Sequence, residues 1–328
     1  MSDSAFNRLD TGESMKALVT GGTGFIGGHI IRELLAQGHQ AVAFDAQPNP
    51  ESLKDIEQEI NIVRGEVQDL GSILQIIKQF GVTHIIHTAS IMTKDSQENP
   101  LKALNINALG TVNMLEAARV LELRKVTFMS STAVYGITEE GKPIDEEYPQ
   151  KPITIYGATK LVCEHYGVNY QRDYGVAFAA LRFPIVYGPG QSHRGFSSFK
   201  EIVEKPILGS PAEVPYGGDH KYDGIYVKDV ARAITLATRT VDTPHSIFNI
   251  GTGVTHTLKD VAKVVETYVP NAIINIGPGF DNREPVKGPL IITRAKEEIG
   301  FQPRFDLNSG IKDYIETIQK NAQPIPST

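Results

Sequence analysis

Along the first 183 residues, short apolar runs alternate with stretches whose apolar residues recur every three or four positions. Ala17-Leu18-Val19, Ala41 to Phe44, Ile60 to Val63, Ile85-Ile86, Val126 to Met129 and Val176 to Leu181 read as strands. They do not alternate apolar with polar, so both faces are covered, as in a parallel sheet between helical layers. Helical stretches lie between them. One carries Ile26, Ile30 and Leu34, with Gly38 as its C-cap, and the clearest carries Leu101, Leu104, Ala108, Val112 and Leu115. The pattern predicts an α/β fold built on a doubly wound parallel sheet.

After Phe183 the texture changes. Residues 184–223 are rich in glycine and proline, with one short helical pattern near Phe196 to Glu204. A helix near Asp229, a strand at Ser246 to Ile250 and three helical patterns after Thr257 follow. The expected organisation is a cofactor body over 15–183 plus about 224–255. A smaller, interwoven C-terminal substrate lobe would take 184–223 plus about 256–328, with residues 1–14 as a disordered leader and Met15 as an alternative start.

Composition narrows the class of partner. With 328 residues, 41% of them hydrophobic, a core forms without disulfide or metal staples. The net charge of −6 and the scattered bases do not suit a phosphate backbone, so nucleic acid is not an expected partner. A single cysteine, Cys163, excludes an intramolecular disulfide framework and suits a reducing compartment. No apolar run reaches the ~18 residues of a membrane span, and residues 1–14 lack the order of a signal peptide. The expectation is a cytoplasmic protein with a small-molecule substrate, no membrane partner and no metal.

Two motifs carry chemistry. Thr20-Gly21-Gly22-Thr23-Gly24-Phe25-Ile26-Gly27 directly follows the first strand and opens a helix. In that context glycines let the backbone approach a pyrophosphate, and the helix N-terminus supplies amide donors; a tight structural turn is the bland alternative. Asp45 ends the second strand, where a carboxylate accepts from both ribose hydroxyls of NAD and repels the 2′-phosphate of NADP. Asp69-Leu70 is expected to end the third strand, where Asp69 is more often a helix N-cap than a ligand.

The second motif is Tyr156-Gly157-Ala158-Thr159-Lys160, in which Tyr156 and Lys160 share one helical face. A phenol is a weak base near its ordinary pKa of ~10, and a neighbouring ammonium favours the phenolate. The hydroxyl-rich strand end Ser130-Ser131-Thr132 precedes the pair.

With these motifs go His87-Thr88-Ala89-Ser90, Asn107-Ala108-Leu109-Gly110-Thr111, Leu181 to Pro189 and Ile225 to Asp229. In that order they make the chain resemble the extended short-chain dehydrogenase/reductase family, the NAD-dependent epimerase/dehydratase group, over residues 16 to about 320. The resemblance implies a Rossmann fold, NAD as cofactor and Ser-Tyr-Lys chemistry on Ser131, Tyr156 and Lys160. Tyr156 would take the proton of a substrate hydroxyl as hydride moves to the nicotinamide. Ser131 would hold the substrate oxygen, and Lys160 would bond the nicotinamide ribose and tune Tyr156. It also implies cofactor contacts at Gly21, Gly24, Phe25, Ile26, Gly27, Asp45, Asp69, Leu70, Ala89, Asn107 and Phe183. A homodimer through a bundle that includes the Tyr156 helix is implied as well.

Departures from the family pattern bear on substrate. Dehydratases of the family carry Asp-Glu where this chain has Thr132-Ala133, which argues against a sugar 4,6-dehydratase. Positions that hold the diphosphate in nucleotide-sugar members are Ile185 and Tyr222 here, while Arg283 falls where the family places a tail arginine. A diphosphate wants charge-assisted partners, so the sequence puts first an oxidoreductase that dehydrogenates a small sugar-like or hydroxy-acid substrate. An NAD-dependent (nucleotide-)sugar epimerase such as a 4-epimerase, an isomerase by outcome, is the alternative. A non-catalytic NAD-sensing regulator is the third reading. Gly136 to Lys142 spells GxxxxGK, but Pro143 stands where a P-loop needs Ser or Thr.

Overall fold

The computed structural model describes residues 14–191, 197–281, 285 and 288–322. The first half runs β1 (Lys16–Thr20), α1 (Phe25–Ala36), β2 (Gln40–Asp45), β3 (Asn61–Arg64), α2 (Leu70–Phe80) and β4 (His84–His87). Then come α3 (Thr93–Glu98), α4 (Pro100–Ala103), α5 (Gly110–Val120), β5 (Lys125–Ser131), α6 (Ile155–Tyr174) and β6 (Phe178–Phe183). The second half holds β7 (Ile185–Tyr187), α7 (Ser198–Ile207), β8 (Ala212–Val214), β9 (Lys221–Tyr226), α8 (Val227–Arg239) and β10 (Ile247–Asn249). It closes with β11 (Thr255–Thr257), α9 (Leu258–Tyr268), β12 (Ile274–Ile276), α10 (Thr293–Glu298) and α11 (Leu307–Ala322).

Seven strands form one parallel sheet in the order β10-β6-β5-β4-β1-β2-β3. The chain builds outward from β1 to β3, then crosses to the other side of β1. The halves therefore part between β1 and β4, where open α/β sheets bind ligands at the strand carboxyl ends. The apolar strand runs are explained by burial on both faces. Ile30, Ile31 and Leu34 of α1 join Ile234 and Ala237 of α8 over Val19, Ile86 and Leu181. On the other face Ile73, Leu115 and Cys163 cover Leu18, Ile85 and Phe128. Each side chain of this kind contributes ~1.5–3 kcal/mol when fully buried.

A third core gathers Phe199, Ile202, Tyr222, Tyr226, Leu258, Val261, Ile311 and Tyr314 around the small sheet β11-β9-β7. Its strands, and the β12-β8 pair, span three to six residues. Such lengths carry too little periodicity to be read from sequence.

The helical stripe that looked clearest is interrupted. Leu104–Leu109 forms a π-helical turn between α4 and α5, and the wider turn rotates the face. Leu115 is buried as the spacing suggests, but Leu101 and Leu104 are 71% and 54% exposed. Among the described residues no helix is long and apolar enough to cross a membrane.

Candidate active site

The glycine turn sits at the carboxyl end of β1. Gly21 has φ +66°, and a Cβ on Gly27 would lie 2.1 Å from the Gly21 carbonyl oxygen, so helix and turn meet backbone to backbone. Gly24 is the N-cap of α1, with no side-chain cap and no acidic residue in the first turn. The first amides of α1 therefore have neither intrahelical nor side-chain acceptors. A cradle of free N–H groups at a helix N-terminus fits the pyrophosphate of NAD.

Around this cradle the structure brings several of the expected contacts together. Asp45 accepts from the Thr23 amide (3.3 Å) and hydroxyl (2.8 Å), which ties β2 to the turn. The Ala89 amide donates to Thr20 Oγ1 at 3.2 Å, and a Cβ on Gly21 would sit 3.3 Å from the Ala89 Cα. Phe25 and Ile26 are half-buried in the first turn of α1. Asp69 stands apart, five residues beyond β3: it is exposed and caps α2, accepting from the Ser72 amide at 3.0 Å and hydroxyl at 2.7 Å. These bonds hold its carboxyl below the usual range. The N-cap role is thus filled, and Leu70 opens the helix behind it.

Ser131, Tyr156 and Lys160 converge from β5 and α6. Thr154 caps α6 through the Gly157 amide at 3.0 Å. A Cβ on Gly157 would fall 2.5 Å from the Ala133 carbonyl, so the Tyr156 end of the helix rests on the turn after Ser131. Ser131 Oγ accepts from the Ala133 amide at 3.1 Å, which leaves its proton free to donate. Lys160 Nζ donates to the Met129 carbonyl at 2.7 Å and lies 4.7 Å from the Phe128 ring centroid and 5.4 Å from that of Tyr156. Burial pulls its ammonium down to about 8, with Cys163 and Glu164 pulling upward. Phe183 pairs in register with Ser131 on the neighbouring strand.

Asn107, in the π-helical turn, is the joint between these two groups. Its amide nitrogen donates to the Ile91 carbonyl (3.1 Å) and Thr159 Oγ1 (3.2 Å), and its oxygen accepts from the Ile91 amide (2.9 Å). Its backbone carbonyl accepts from Thr111 Oγ1 at 2.6 Å and Cys163 Sγ at 3.2 Å. His87 completes the connection. Thr20 Oγ1 already accepts from the Thr88 and Ala89 amides, so its proton goes to His87 Nδ1 at 2.7 Å. That assigns the proton to His87 Nε2, which donates to Thr111 at 3.1 Å. Burial keeps this imidazole neutral, pushing its pKa down to about 3.

Sequence reasoning missed a buried polar network behind the site. Glu164, one turn beyond Lys160, accepts from Ser130 Oγ (2.5 Å) and forms a bidentate ion pair with Arg182 of β6 (2.6 Å at the closest). Arg182 Nη1 donates to Tyr135 Oη (2.9 Å) and the Glu146 carbonyl (3.1 Å). Tyr135 donates to Asn249 Oδ1 at 2.6 Å, and the Asn249 amide donates to Glu146 at 2.8 Å. The available signal was an acidic residue four positions after Lys160, on a face that had to be buried.

Of the positions that the family uses for a diphosphate, Ile185 is half-buried in β7 opposite Gly224, and Tyr222 of β9 is buried and stacked on His220 with ring centroids 4.3 Å apart. A cavity of about 140 Å³ opens among Ser197, Ser198, Glu201 and Val214 to Tyr216. Arg283 and residues 1–13 lie outside the described residues.

Residues 17–251 match the model of the NAD dependent epimerase/dehydratase family. A UDP-glucose 4-epimerase of Mycolicibacterium smegmatis is 30% identical, covering 94% of this chain and 100% of its own length. Among solved structures, a Thermus thermophilus UDP-glucose 4-epimerase in complex with NAD is 30% identical, with a TM-score of 0.82 over 93% of this chain and 99% of that one. A Thermotoga maritima UDP-glucose 4-epimerase with UDP-glucose is 27% identical, with a TM-score of 0.83 over 94% and 100%.

Proposed function

The chain belongs to the NAD dependent epimerase/dehydratase family, and from that premise we propose that it is a sugar epimerase. It would invert a secondary alcohol by oxidising it to a ketone and reducing the ketone from its other face. The observation that carries this is the Tyr156–Lys160 pair, buried on one face of α6 against the strand end bearing Ser131. NAD, when bound, supplies the acceptor and then the donor of hydride. Gly21, Gly24 and Gly27 with the first amides of α1 would hold its pyrophosphate, Asp45 the adenosine ribose, and Lys160 the nicotinamide ribose. Asp69 and Leu70 would flank the adenine, while Phe25, Ile26, Ala89, Asn107 and Phe183 would wall the dinucleotide. Ser131 holds the substrate oxygen, and Tyr156 takes the hydroxyl proton and later returns it. The Lys160 ammonium favours the phenolate. Thr132 and Ala133 offer no carboxylate to expel water, so the ketone is re-reduced rather than dehydrated.

Sequence reasoning put net dehydrogenation first; the full-length likeness to UDP-glucose 4-epimerases supports the reverse order. Dehydrogenation stays as a second reading on one observation, the apolar Ile185 and the stacked Tyr222 where a diphosphate would need cations. Incubation with NAD and a panel of UDP-sugars, free sugars and hydroxy acids separates the two. Inverted substrate without accumulating NADH supports the epimerase; free NADH supports the dehydrogenase.

The reading extends to organisation. The first two core clusters support a cofactor body of 15–183 plus about 224–255, and the third, which also takes in Tyr226 and Val227 of that body, supports a lobe of 184–223 plus about 256–328. Ala295, Ile299 and Phe301 of that lobe reach back into the first core. Exposed Leu101, Leu104 and Leu109 beside Val162 and Tyr166 of α6 support a homodimer through these helices, which sedimentation would test. Cytoplasmic residence accords with the single buried thiol.

A further inference from the structure

We propose that Glu164 is a positioning residue for the reaction: its carboxylate, shared with Arg182, sets the charge state of Lys160 and fixes the catalytic helix against β5 and β6. The inference rests on the reading of Tyr156 and Lys160 as the catalytic pair.

The geometry is built on one helical face. Tyr156, Lys160 and Glu164 follow one another at intervals of four along α6, and all three are buried. Both oxygens of Glu164 are engaged. Oε1 accepts from Ser130 Oγ and Arg182 Nε, and Oε2 accepts from Arg182 Nε and Nη2. Ser130 and Arg182 are partners in register on adjacent strands, so one carboxylate bridges the helix to both. Ser130 immediately precedes Ser131. The clamp therefore holds the strand carrying the substrate-oxygen donor and the helix carrying the base in one rigid unit.

The same carboxylate also acts on the buried Lys160 ammonium, pulling its pKa upward after Cys163. Several elements pack groups around Lys160. Its own helix presents Tyr156, Cys163 and Glu164. From β5 come the Met129 carbonyl and the Phe128 ring, both uncharged. From β4 comes His87, neutral at any physiological pH. Asn107 of the π-helical turn and Thr111 of α5, bonded to each other and through Asn107 to Cys163, are uncharged. Arg182 of β6 is paired to Glu164. Glu164, after Cys163, thus counters the burial that disfavours the Lys160 cation, and the positive charge of Arg182, paired to Glu164, opposes it by the same electrostatics.

This arrangement makes the two halves of the ion pair act on Lys160 with opposite sign. Glu164→Gln keeps the shape and an acceptor for Ser130, removes the negative charge and leaves Arg182 unpaired. Arg182→Gln leaves Glu164 unpaired. The test is the titration midpoint of Lys160 in the NAD-supplemented protein, followed by NMR of ¹³C-labelled lysine and assigned by its loss in Lys160→Met. The expected result is a midpoint lowered by about one pH unit in Glu164→Gln and raised in Arg182→Gln. The alkaline limb of turnover should move in the same directions. Midpoints that stay fixed, or move the same way in both variants, overturn the proposal and leave the pair a structural clamp only. If Glu164→Gln does not fold, the sign of the shift in Arg182→Gln decides alone. Tyr156→Phe assayed alongside separates the two readings. Turnover that survives in it refutes the catalytic role of Tyr156, while the Lys160 midpoints still judge Glu164.

Discussion

Replacing Lys160 by Met should abolish turnover and yet stabilise the protein near neutrality. The ammonium is 2% exposed, and burial brings its pKa from 10.5 to about 8. That difference corresponds to about 3 kcal/mol against the charged form in the folded state. Methionine fills a similar volume without charge, at the loss of one charge-assisted bond to the Met129 carbonyl. The cleanest signature is in the pH dependence. Above about 8 the folded protein releases this proton, whereas the unfolded chain keeps it up to 10.5. Wild-type stability therefore rises relative to the variant across that window, by up to about 3 kcal/mol. Below about 8 both states hold the proton and the difference is flat. Urea unfolding of both proteins from pH 7 to 10.5 measures it, and other titrating groups cancel in the comparison. A wild type that loses ground to the variant as pH rises, or a difference that does not change, would refute the burial argument.

Other perturbations test the cofactor side and the network. Gly27→Ala forces a Cβ to within 2.1 Å of a backbone oxygen, so a loss of about 3 kcal/mol is expected, with weakened NAD binding; an unchanged melting curve contradicts the packing. Asp45→Ala should weaken NAD roughly ten- to a hundredfold and improve NADP relative to it. Calorimetry with both nucleotides checks this, and an unaltered preference removes the ribose role. His87→Phe keeps an aromatic ring but leaves the Thr20 hydroxyl proton without its acceptor, at about 1–3 kcal/mol, while Thr111 still donates to the Asn107 carbonyl. Hydrogen exchange should quicken at Thr88 and Ala89, and unchanged protection there would show that His87 holds nothing.

What was legible in the sequence depended on how far apart the cooperating residues lie. Gly21 to Gly27 form one turn and Tyr156 to Lys160 one helical face, so spacing alone exposed them. The sheet was legible because burial on both faces leaves continuous apolar runs such as Phe178 to Leu181. The π-helical turn was not, since Leu101 to Leu115 keep a helical spacing that the backbone departs from at Leu104. Glu164 and Arg182 were missed because their partnership spans α6 and β6 and is fixed only when the helix docks on the strand. The role of His87 was not legible from its motif alone. Its actual partners, Thr20 and Thr111, sit on β1 and α5. The substrate side stayed dark for a related reason, as β7, β9 and β11 are short and Tyr222 reveals its stacking on His220 only once folded.

The most direct test of the proposed chemistry follows inversion of a UDP-hexose by proton NMR in D₂O, with the wild type and Tyr156→Phe side by side. Oxidation and re-reduction carry the hydride out to the cofactor and back, so solvent never reaches the inverting carbon. The expected result is an equilibrium mixture of epimers, no deuterium at the inverted carbon, no accumulating NADH, and no turnover in Tyr156→Phe. Deuterium at that carbon, or wild-type turnover in Tyr156→Phe, would contradict it.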